Sequence, residues 1–150
     1  MIQTKLINTI TEFFEYTQIV TLLKQQMEHI GTPKSNEEIK ETIKLMFETD
    51  HTYLMVLENK GLLLGFVFFN VAIGLQSSGK YLWLNEMHIN EQFRGKGYGT
   101  MLFNGLKEWA KENNVVRIMG IVDHVDPRTR QFYLNQGTEI SNEEILSIRL

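Results

Sequence analysis

The sequence predicts an α/β (α+β) protein with a mixed, mostly antiparallel sheet of about six to seven strands and helices on both faces. Strand-like segments between residues 53 and 89 follow one another with short connections, which is typical of antiparallel neighbours. The longest of them, 62–73, is apolar on both faces and therefore needs cover on both sides. A helical pattern beginning at Gly99 then separates two strand patterns, as in a parallel crossover.

The bulk composition is consistent with one domain over residues 1–150 that folds by burial, since 43% of the residues are hydrophobic. A net charge of −3 argues against nucleic-acid binding, which needs a basic surface. The absence of cysteine excludes disulfides, thiolate zinc sites and cysteine nucleophiles. No signal-like block opens the chain, and the longest apolar run, Leu62–Leu75, is too short to span a bilayer. We therefore expect a cytoplasmic protein that does not bind membranes.

The N-terminal third predicts one strand and then helices. Apolar and polar residues alternate over 2–6, as in a strand. Thr9 and Glu12 have the spacing of a capping box and open a helical pattern with a break near Thr17. Its apolar stripe begins with Ile10, Phe13 and Phe14 and continues after the break with Val20, Leu23, Met27 and Ile30. After an interruption at 31–33, Ser35 and Glu38 form a second capping-box pair, before an amphipathic helix that reaches Phe47.

The middle of the chain predicts three consecutive strands. Tyr53–Leu57 is the first, and Glu58–Gly61 is the turn that follows it. Leu62–Ile73 is the second strand, residues 74–80 form a loop, and Tyr81–Ile89 is the third strand.

The C-terminal third predicts a helix from Gly99, then a strand over Val115–Val122 that runs parallel to the strand before it. Asp126–Pro127 has the pattern of a helix start, with Asp as the N-cap and Pro at the first helical position. Gly137 is the expected stop of that helix. Apolar residues alternate again over 146–150, which predicts a last strand.

The segment Arg94–Thr100 carries three glycines that alternate over five residues, between a strand pattern and a helix pattern. Glycine permits positive φ, and a helix that begins there directs N–H groups at a phosphate or pyrophosphate. A dinucleotide fingerprint would need glycine at Thr100, and no register supplies a Walker loop, so both of these are excluded. A glycine-rich turn without a ligand is the remaining alternative.

The spacing of Arg94, Gly97 and Gly99 resembles the coenzyme A pyrophosphate loop of the GNAT-type N-acetyltransferase superfamily. The order of elements is similar to that family along essentially the whole chain. A second match places Asp126 where the family often has Asn, followed by Phe132–Tyr133 and Gly137–Thr138. The Asp and the Thr depart from the pattern. Asp126 can cap its helix but cannot donate a hydrogen bond to a cofactor as Asn could.

The resemblance implies acetyl-CoA as cosubstrate and no metal. Main-chain amides of the glycine loop would hold the pyrophosphate, with added charge from Arg94 and from Lys96 unless the latter is merely solvated. The end of the strand at 87–89 would pair with pantetheine through its backbone. The cofactor-binding residues implied in this way are Met87, His88, Ile89, Arg94, Gly95, Lys96, Gly97, Tyr98, Gly99, Thr100 and Asp126.

Glu86 is the candidate general base for direct attack of an amine in a ternary complex. A carboxylate in an otherwise apolar strand is costly unless it is paired or functional, and partial burial would raise its pKa. Pairing with a cation and exposure to solvent are the alternatives. His88, which has the same strand parity as Glu86, and a water chain are the alternative candidates for the base. By resemblance, Tyr133 is the acid for the departing thiolate; its alternative is a half-buried helix aromatic.

The expected acceptor is a primary amine, on a small molecule or a peptide. Asp123 and His124 are interpreted as loop residues near the acceptor, without a metal-ligand set around them. A homodimer paired through the last strand is consistent with the resemblance. The competing function is a catalytically silent acyl-CoA-binding sensor or interaction module with the same fold.

Overall fold

The computed structural model describes residues 1–123 and 126–150, which form two compact units, Met1–Gly120 and Ile121–Leu150. The strands, all in the first unit, are β1 (Ile2–Ile7), β2 (Thr52–Asn59), β3 (Leu62–Gly74), β4 (Gly79–Ile89) and β5 (Val115–Gly120). The α-helices are α1 (Ile10–Glu15), α2 (Ile19–His29), α3 (Asn36–Phe47) and α4 (Tyr98–Glu112) in the first unit and α5 (Pro127–Asn135) in the second. Among the residues that the structure describes, no helix combines the length and hydrophobicity of a transmembrane helix.

The strands of the described residues form one sheet in the order β1–β2–β3–β4–β5. The first three pairs are antiparallel and β4–β5 is parallel, which confirms the mixed sheet and the crossover. The expectation of six to seven strands is wrong, because residues 146–150 form no strand. Leu146 and Leu150 are almost completely exposed there. Alternation predicts a strand only where one face is buried, and here neither is. The homodimer through this segment stays a prediction, as does the single domain.

Helices cover both faces of the sheet, as the two-sided apolar pattern of β3 predicts. On one face, α1, α2 and α3 pack on β2 and β3 in a core that includes Phe13, Ile19, Leu22, Ile39, Ile43, Leu54, Val56, Leu63 and Phe66. On the other face, the ring of Trp109 in α4 lies 4.9 Å from that of Tyr53 and 5.0 Å from that of Phe69. Adjacent strand residues point to opposite faces, so Leu54 faces the core under α1–α3 and Tyr53 faces α4.

Both helix caps predicted for the N-terminal third are present. The side chain of Thr9 accepts from the backbone N–H of Glu12 at 3.1 Å, and that of Ser35 from Glu38 at 3.1 Å. The break predicted near Thr17 is the gap between α1 and α2. These local signals fix where the helices begin, because each cap satisfies an N–H group that has no partner inside its helix.

The turn predicted over Glu58–Gly61 begins two residues later, at Lys60. Lys60 and Gly61 have φ of 50° and 86°, the left-handed pair that a two-residue hairpin favours. Glu58 belongs to β2 and is buried, with hydrogen bonds to its carboxylate from Tyr16 Oη at 2.7 Å and from Gln3 Nε2 at 3.0 Å. Burial alone would raise the pKa of Glu58, but these bonds and the charge of Lys5 lower it. A satisfied carboxylate can therefore lie inside a strand that ends against α1.

Gly105 allows α4 to pack closely against β1. A Cβ at this position would lie 2.4 Å from Cγ2 and 2.7 Å from Oγ1 of Thr4. We expect Gly105→Ala to lower the free energy of unfolding by about 1–3 kcal/mol, despite the better helix propensity of alanine, since the helix must move away from the sheet. Urea denaturation measures the loss, and Thr4→Ala in the same chain should recover most of it. A single variant as stable as the wild type would contradict the close contact.

The second unit consists of α5 and the segment that follows it. Asp126 is the N-cap and Pro127 the first helical residue, as predicted. At the other end Gly137 has φ of 88°, and the N–H groups of Gly137 and Thr138 bond to the carbonyls of Leu134 and Tyr133. This is a Schellman motif, which confirms the predicted stop.

Candidate active site

A bulge in β4 determines which side chains reach the site. In the β3–β4 ladder Leu84 pairs with Phe69, whereas Glu86 pairs with Phe68, so Asn85 is an extra residue. An insertion of one residue moves every later side chain to the opposite face. Phe69 contacts α4, and Phe68 packs on the core under α1–α3. The bulge thus turns Glu86 away from the face of Leu84 and towards α2.

Glu86 is half-buried and contacts α2 through one hydrogen bond. Gln26 Nε2 donates to Glu86 Oε2 at 3.0 Å. Burial raises the pKa of Glu86, and the hydrogen bond from Gln26 partly opposes that rise. A carboxylate with a raised pKa is a better proton acceptor at neutral pH than an exposed one.

His88 lies on the same face and is almost completely buried, with 3% of its surface exposed. Its Nδ1 lies 2.9 Å from Gln26 Oε1 and its Nε2 lies 2.6 Å from Gln25 Oε1. Arg94 Nη2 lies 3.3 Å from the same Nδ1. Burial lowers the pKa of His88 to about 4, with the charges of Arg94 and His29 acting in the same direction. His88 is therefore a neutral, internally bonded side chain at pH 7.

The two glutamines of α2 were not found by sequence reasoning. The stripe predicted for this helix correctly included Leu23, which is buried, and Val20, which packs on the core, but omitted the buried residues Ile19, Leu22 and Gln26. Met27 is only half-buried and Ile30 is 46% exposed. A polar residue at helical spacing from three apolar ones was the available signal for Gln26.

The end of β4 extends beyond its parallel neighbour. The β4–β5 ladder ends where Leu84 pairs with Gly120, and β4 continues to Ile89 along β3. Gly65 pairs with Ile89, and a Cβ on Gly65 would lie 2.6 Å from the carbonyl oxygen of His88. The predicted segment Met87–Ile89 thus lies beyond the end of the β4–β5 ladder, held against β3 by a close backbone approach.

The glycine loop joins β4 to the N-terminus of α4. Gly95 and Gly97 have φ of 78° and 81°, left-handed conformations that glycine adopts most readily. Gly97 occupies the N-cap position of α4, but it has no side chain that could accept a hydrogen bond from the N–H groups of the first turn. The helix begins at Tyr98, one residue before the predicted start, so its first turn includes Gly99 and Thr100. The positive end of the α4 dipole therefore faces this exposed loop.

The two cations of the loop lie close to the protein surface. Arg94 Nε donates to the carbonyl oxygen of Ile89 at 3.0 Å, which folds the side chain back over the end of β4. Lys96 Nζ lies 5.9 Å from the ring centroid of Phe93. Arg94 thus connects the loop to the Glu86–His88 face of the same strand.

The remaining predicted site residues lie in the second unit. Both carboxylate oxygens of Asp126 bond within α5: Oδ1 accepts from the backbone N–H groups of Arg128 and Thr129, and Oδ2 from Thr129 Oγ1 at 2.8 Å. The hydrogen bond from the Thr129 side chain is the main reason that the pKa of Asp126 is lowered. Tyr133 is half-buried on α5, its ring centroid 5.2 Å from that of Phe132. Asp123 is exposed, and His124 lies outside the described residues.

We expect His88 to make the protein less stable in acid. Its folded pKa of about 4 lies below the value of about 6.5 in an unfolded chain. Between those values the unfolded chain binds a proton that the folded one does not, so stability falls as the pH falls from 6.5 to 4, by up to about 3 kcal/mol. Urea denaturation at pH 7 and pH 4.5 should show a smaller acid loss for His88→Gln than for the wild type. Equal losses would contradict a neutral, buried His88.

Comparisons with known proteins relate the chain to one family and to an N-acyltransferase. A model of the acetyltransferase (GNAT) family matches residues 16–137. Tyramine N-feruloyltransferase 4/11 of Nicotiana tabacum is 27% identical over 79 residues, which are 53% of this chain and 35% of that protein. The match thus spans about a third of that relative's length.

Solved structures share the fold. Ribosomal-protein-alanine N-acetyltransferase from Brucella melitensis biovar Abortus 2308 superposes with a TM-score of 0.78 and 16% identity, covering 100% of both chains. An aminoglycoside N-acetyltransferase in complex with CoA superposes with a TM-score of 0.80 and 14% identity, over 99% of this chain and 95% of the other. Since the family model covers most of its length, the chain belongs to the GNAT acetyltransferase family.

Proposed function

We propose that the protein is an N-acetyltransferase that moves an acetyl group from acetyl-CoA to a primary amine by direct attack in a ternary complex. The observation that carries the proposal is the half-buried carboxylate of Glu86 on β4, a strand that extends beyond its parallel neighbour β5. The same strand leads into the loop at the N-terminus of α4, in which two glycines have positive φ. The sequence relation to the GNAT family gives this arrangement its chemical context.

The loop fits a diphosphate by the chemistry of its donors. Two glycines with positive φ and the first turn of α4 direct main-chain N–H groups and a positive dipole to one place. The residues proposed to hold the pyrophosphate are Gly95 to Thr100, with charge added by Arg94 and Lys96. Pantetheine would lie along Met87–Ile89, the part of β4 that extends beyond its ladder with β5.

Each proposed residue has one task in the transfer. Acetyl-CoA supplies an activated thioester. Glu86 accepts a proton from the amine, directly or through water, so that the nitrogen lone pair attacks the carbonyl carbon. A main-chain N–H of Met87–Ile89 stabilises the negative charge on the carbonyl oxygen. When the carbon–sulfur bond breaks, Tyr133 donates its hydroxyl proton to the leaving sulfur. The products are the acetamide and CoA.

Glu86 is a better base than His88 in this arrangement. Both ring nitrogens of His88 face side-chain amides of α2 at 2.6 and 2.9 Å, which leaves neither one directed at a substrate. Glu86 has one hydrogen bond from Gln26 on Oε2 and remains half-buried. We therefore assign proton acceptance to Glu86.

The acceptor class proposed is an amine on a small molecule or a peptide. Three similar proteins are named for the molecules on which they act: tyramine, an aminoglycoside, and alanine of a ribosomal protein. All of these present a nucleophilic amine, and the single catalytic carboxylate proposed here suits that whole class.

A thermal-shift and turnover experiment tests the proposal. Acetyl-CoA and CoA should raise Tm, whereas NAD and ATP should not. Release of CoA should then be measured with tyramine, kanamycin and a peptide with an N-terminal alanine. Stabilisation by CoA compounds without release of CoA for any amine would favour the silent sensor. Stabilisation by ATP or NAD alone would contradict the assignment of the loop.

A further inference from the structure

Gln26 is a polar side chain on the buried face of α2, with 7% of its surface exposed. Its amide contacts two residues of β4 that are two positions apart. Nε2 lies 3.0 Å from Glu86 Oε2, and Oε1 lies 2.9 Å from His88 Nδ1. Burying an amide is favourable only when both of its ends are bonded, and here each end has a different partner.

The partners fix which way the amide points. The Glu86 carboxylate can only accept, so the NH₂ group of Gln26 must face it. The carbonyl oxygen of Gln26 then lies 2.9 Å from His88 Nδ1. Turning the amide by 180° would set its oxygen against the carboxylate and lose the bond to Glu86. The Glu86 carboxylate therefore fixes the orientation of the amide, and His88 contacts its other end.

The surroundings leave Gln26 as the principal polar influence on Glu86 among the described residues. From β3, the residues opposite Glu86 and His88 are Phe68 and Phe66. From α2, His29 has its ring centroid 6.3 Å from that of His88, and after β4 Arg94 Nη2 lies 3.3 Å from His88 Nδ1. Both of these groups contact His88, whereas the carboxylate of Glu86 is hydrogen-bonded by Gln26.

We propose that Gln26 is a positioning residue of the active site, which fixes the Glu86 carboxylate for proton acceptance and is itself in contact with His88 on its other side. The inference rests on the proposed function, in which Glu86 is the base. Gln26 acts through Glu86 and does not contact the substrate. Helix α2 thereby takes part in setting the proton affinity of a side chain on β4, since a hydrogen bond to the charged form favours that form.

The direct test is a titration of Glu86 by NMR in protein labelled with ¹³C at the glutamate carboxyls, with the Glu86 signal assigned by its loss in Glu86→Gln. Gln26→Met keeps the length of the side chain and removes the donor. We expect the midpoint of the Glu86 titration to move up by about one pH unit. Gln18→Met is the matched control, because Gln18 is exposed at the start of the same helix and its side chain forms no cap.

A second variant covers the case in which Gln26→Met does not fold. Gln26→Glu places a second carboxylate beside the first, and like charges raise the midpoint further. A Glu86 midpoint that is unchanged in a folded Gln26 variant would overturn the inference and leave the proposed base untouched.

The rate profile separates this inference from the proposed function. With acetyl-CoA and whichever amine of the panel reacts, the acidic limb of kcat/KM should move up with the NMR midpoint in Gln26→Met. A purely structural role for Gln26 would change Tm without moving that limb. A shifted midpoint with an unmoved limb would remove Glu86 as the base, and with it the positioning role of Gln26.

Discussion

Glu86→Gln is expected to lower kcat by about 10²–10⁴-fold while leaving the affinity for acetyl-CoA unchanged. The amide has nearly the shape of the carboxylate and still fits beside Gln26, but it cannot take a proton from the attacking amine. The loss should fall on kcat and on kcat/KM together, because proton acceptance is needed only in the transition state. Steady-state kinetics with the reactive amine, and calorimetry with acetyl-CoA, measure the two quantities.

A control with the same change in charge is available on α4. Glu108 is exposed, its nearest ionic contact being Lys111 at 3.7 Å, so Glu108→Gln should keep native turnover. The wild-type rate should rise with pH through the Glu86 pKa, which burial raises above its ordinary value. In Glu86→Gln this acidic limb should disappear. Native turnover in Glu86→Gln would remove Glu86 from the mechanism.

The parts of the site that the sequence predicts are those whose signals are local. The glycine loop is one, because the positions that need positive φ are glycines and because an N-terminal helix pattern follows directly. The cap at Asp126 and the stop at Gly137 are others, since the residues that satisfy the helix ends lie within four positions of them. Each of these predictions depends on a few consecutive residues.

The parts that could not be predicted depend on pairing between distant segments. Asn85 is a bulge only in relation to Phe68 and Phe69 of β3, and nothing in its own neighbourhood marks it. Gln26 is part of the site because the bulge turns Glu86 and His88 towards α2. The alternation over 146–150 has the opposite property, a local strand pattern that no neighbouring strand completes.

Gly97→Val is expected to weaken acetyl-CoA binding by about 100-fold or more. Gly97 has φ of 81° at the N-cap of α4, and a β-branched residue disfavours that conformation by about 1–2 kcal/mol. The turn would therefore relax towards negative φ and move the N–H groups that are proposed to hold the pyrophosphate. No atom lies within 4 Å of a Cβ built at Gly97, so the effect comes from the backbone and from the ligand that the loop would meet. Calorimetric titration with acetyl-CoA measures the affinity.

A second glycine separates the loss of binding from the cost of strain. Gly61, in the β2–β3 hairpin, has φ of 86° and also has no atom within 4 Å of a built Cβ. Gly61→Val carries the same backbone penalty at a site with no proposed ligand, so it should lower Tm by a similar amount and keep native affinity for acetyl-CoA. If the two variants bound acetyl-CoA equally well, the loop would not be the diphosphate site. Free CoA has the same diphosphate and no acetyl group. Its affinity for Gly97→Val should therefore fall by the same factor as that of acetyl-CoA, because the effect comes from the loop and not from the reacting end of the cosubstrate.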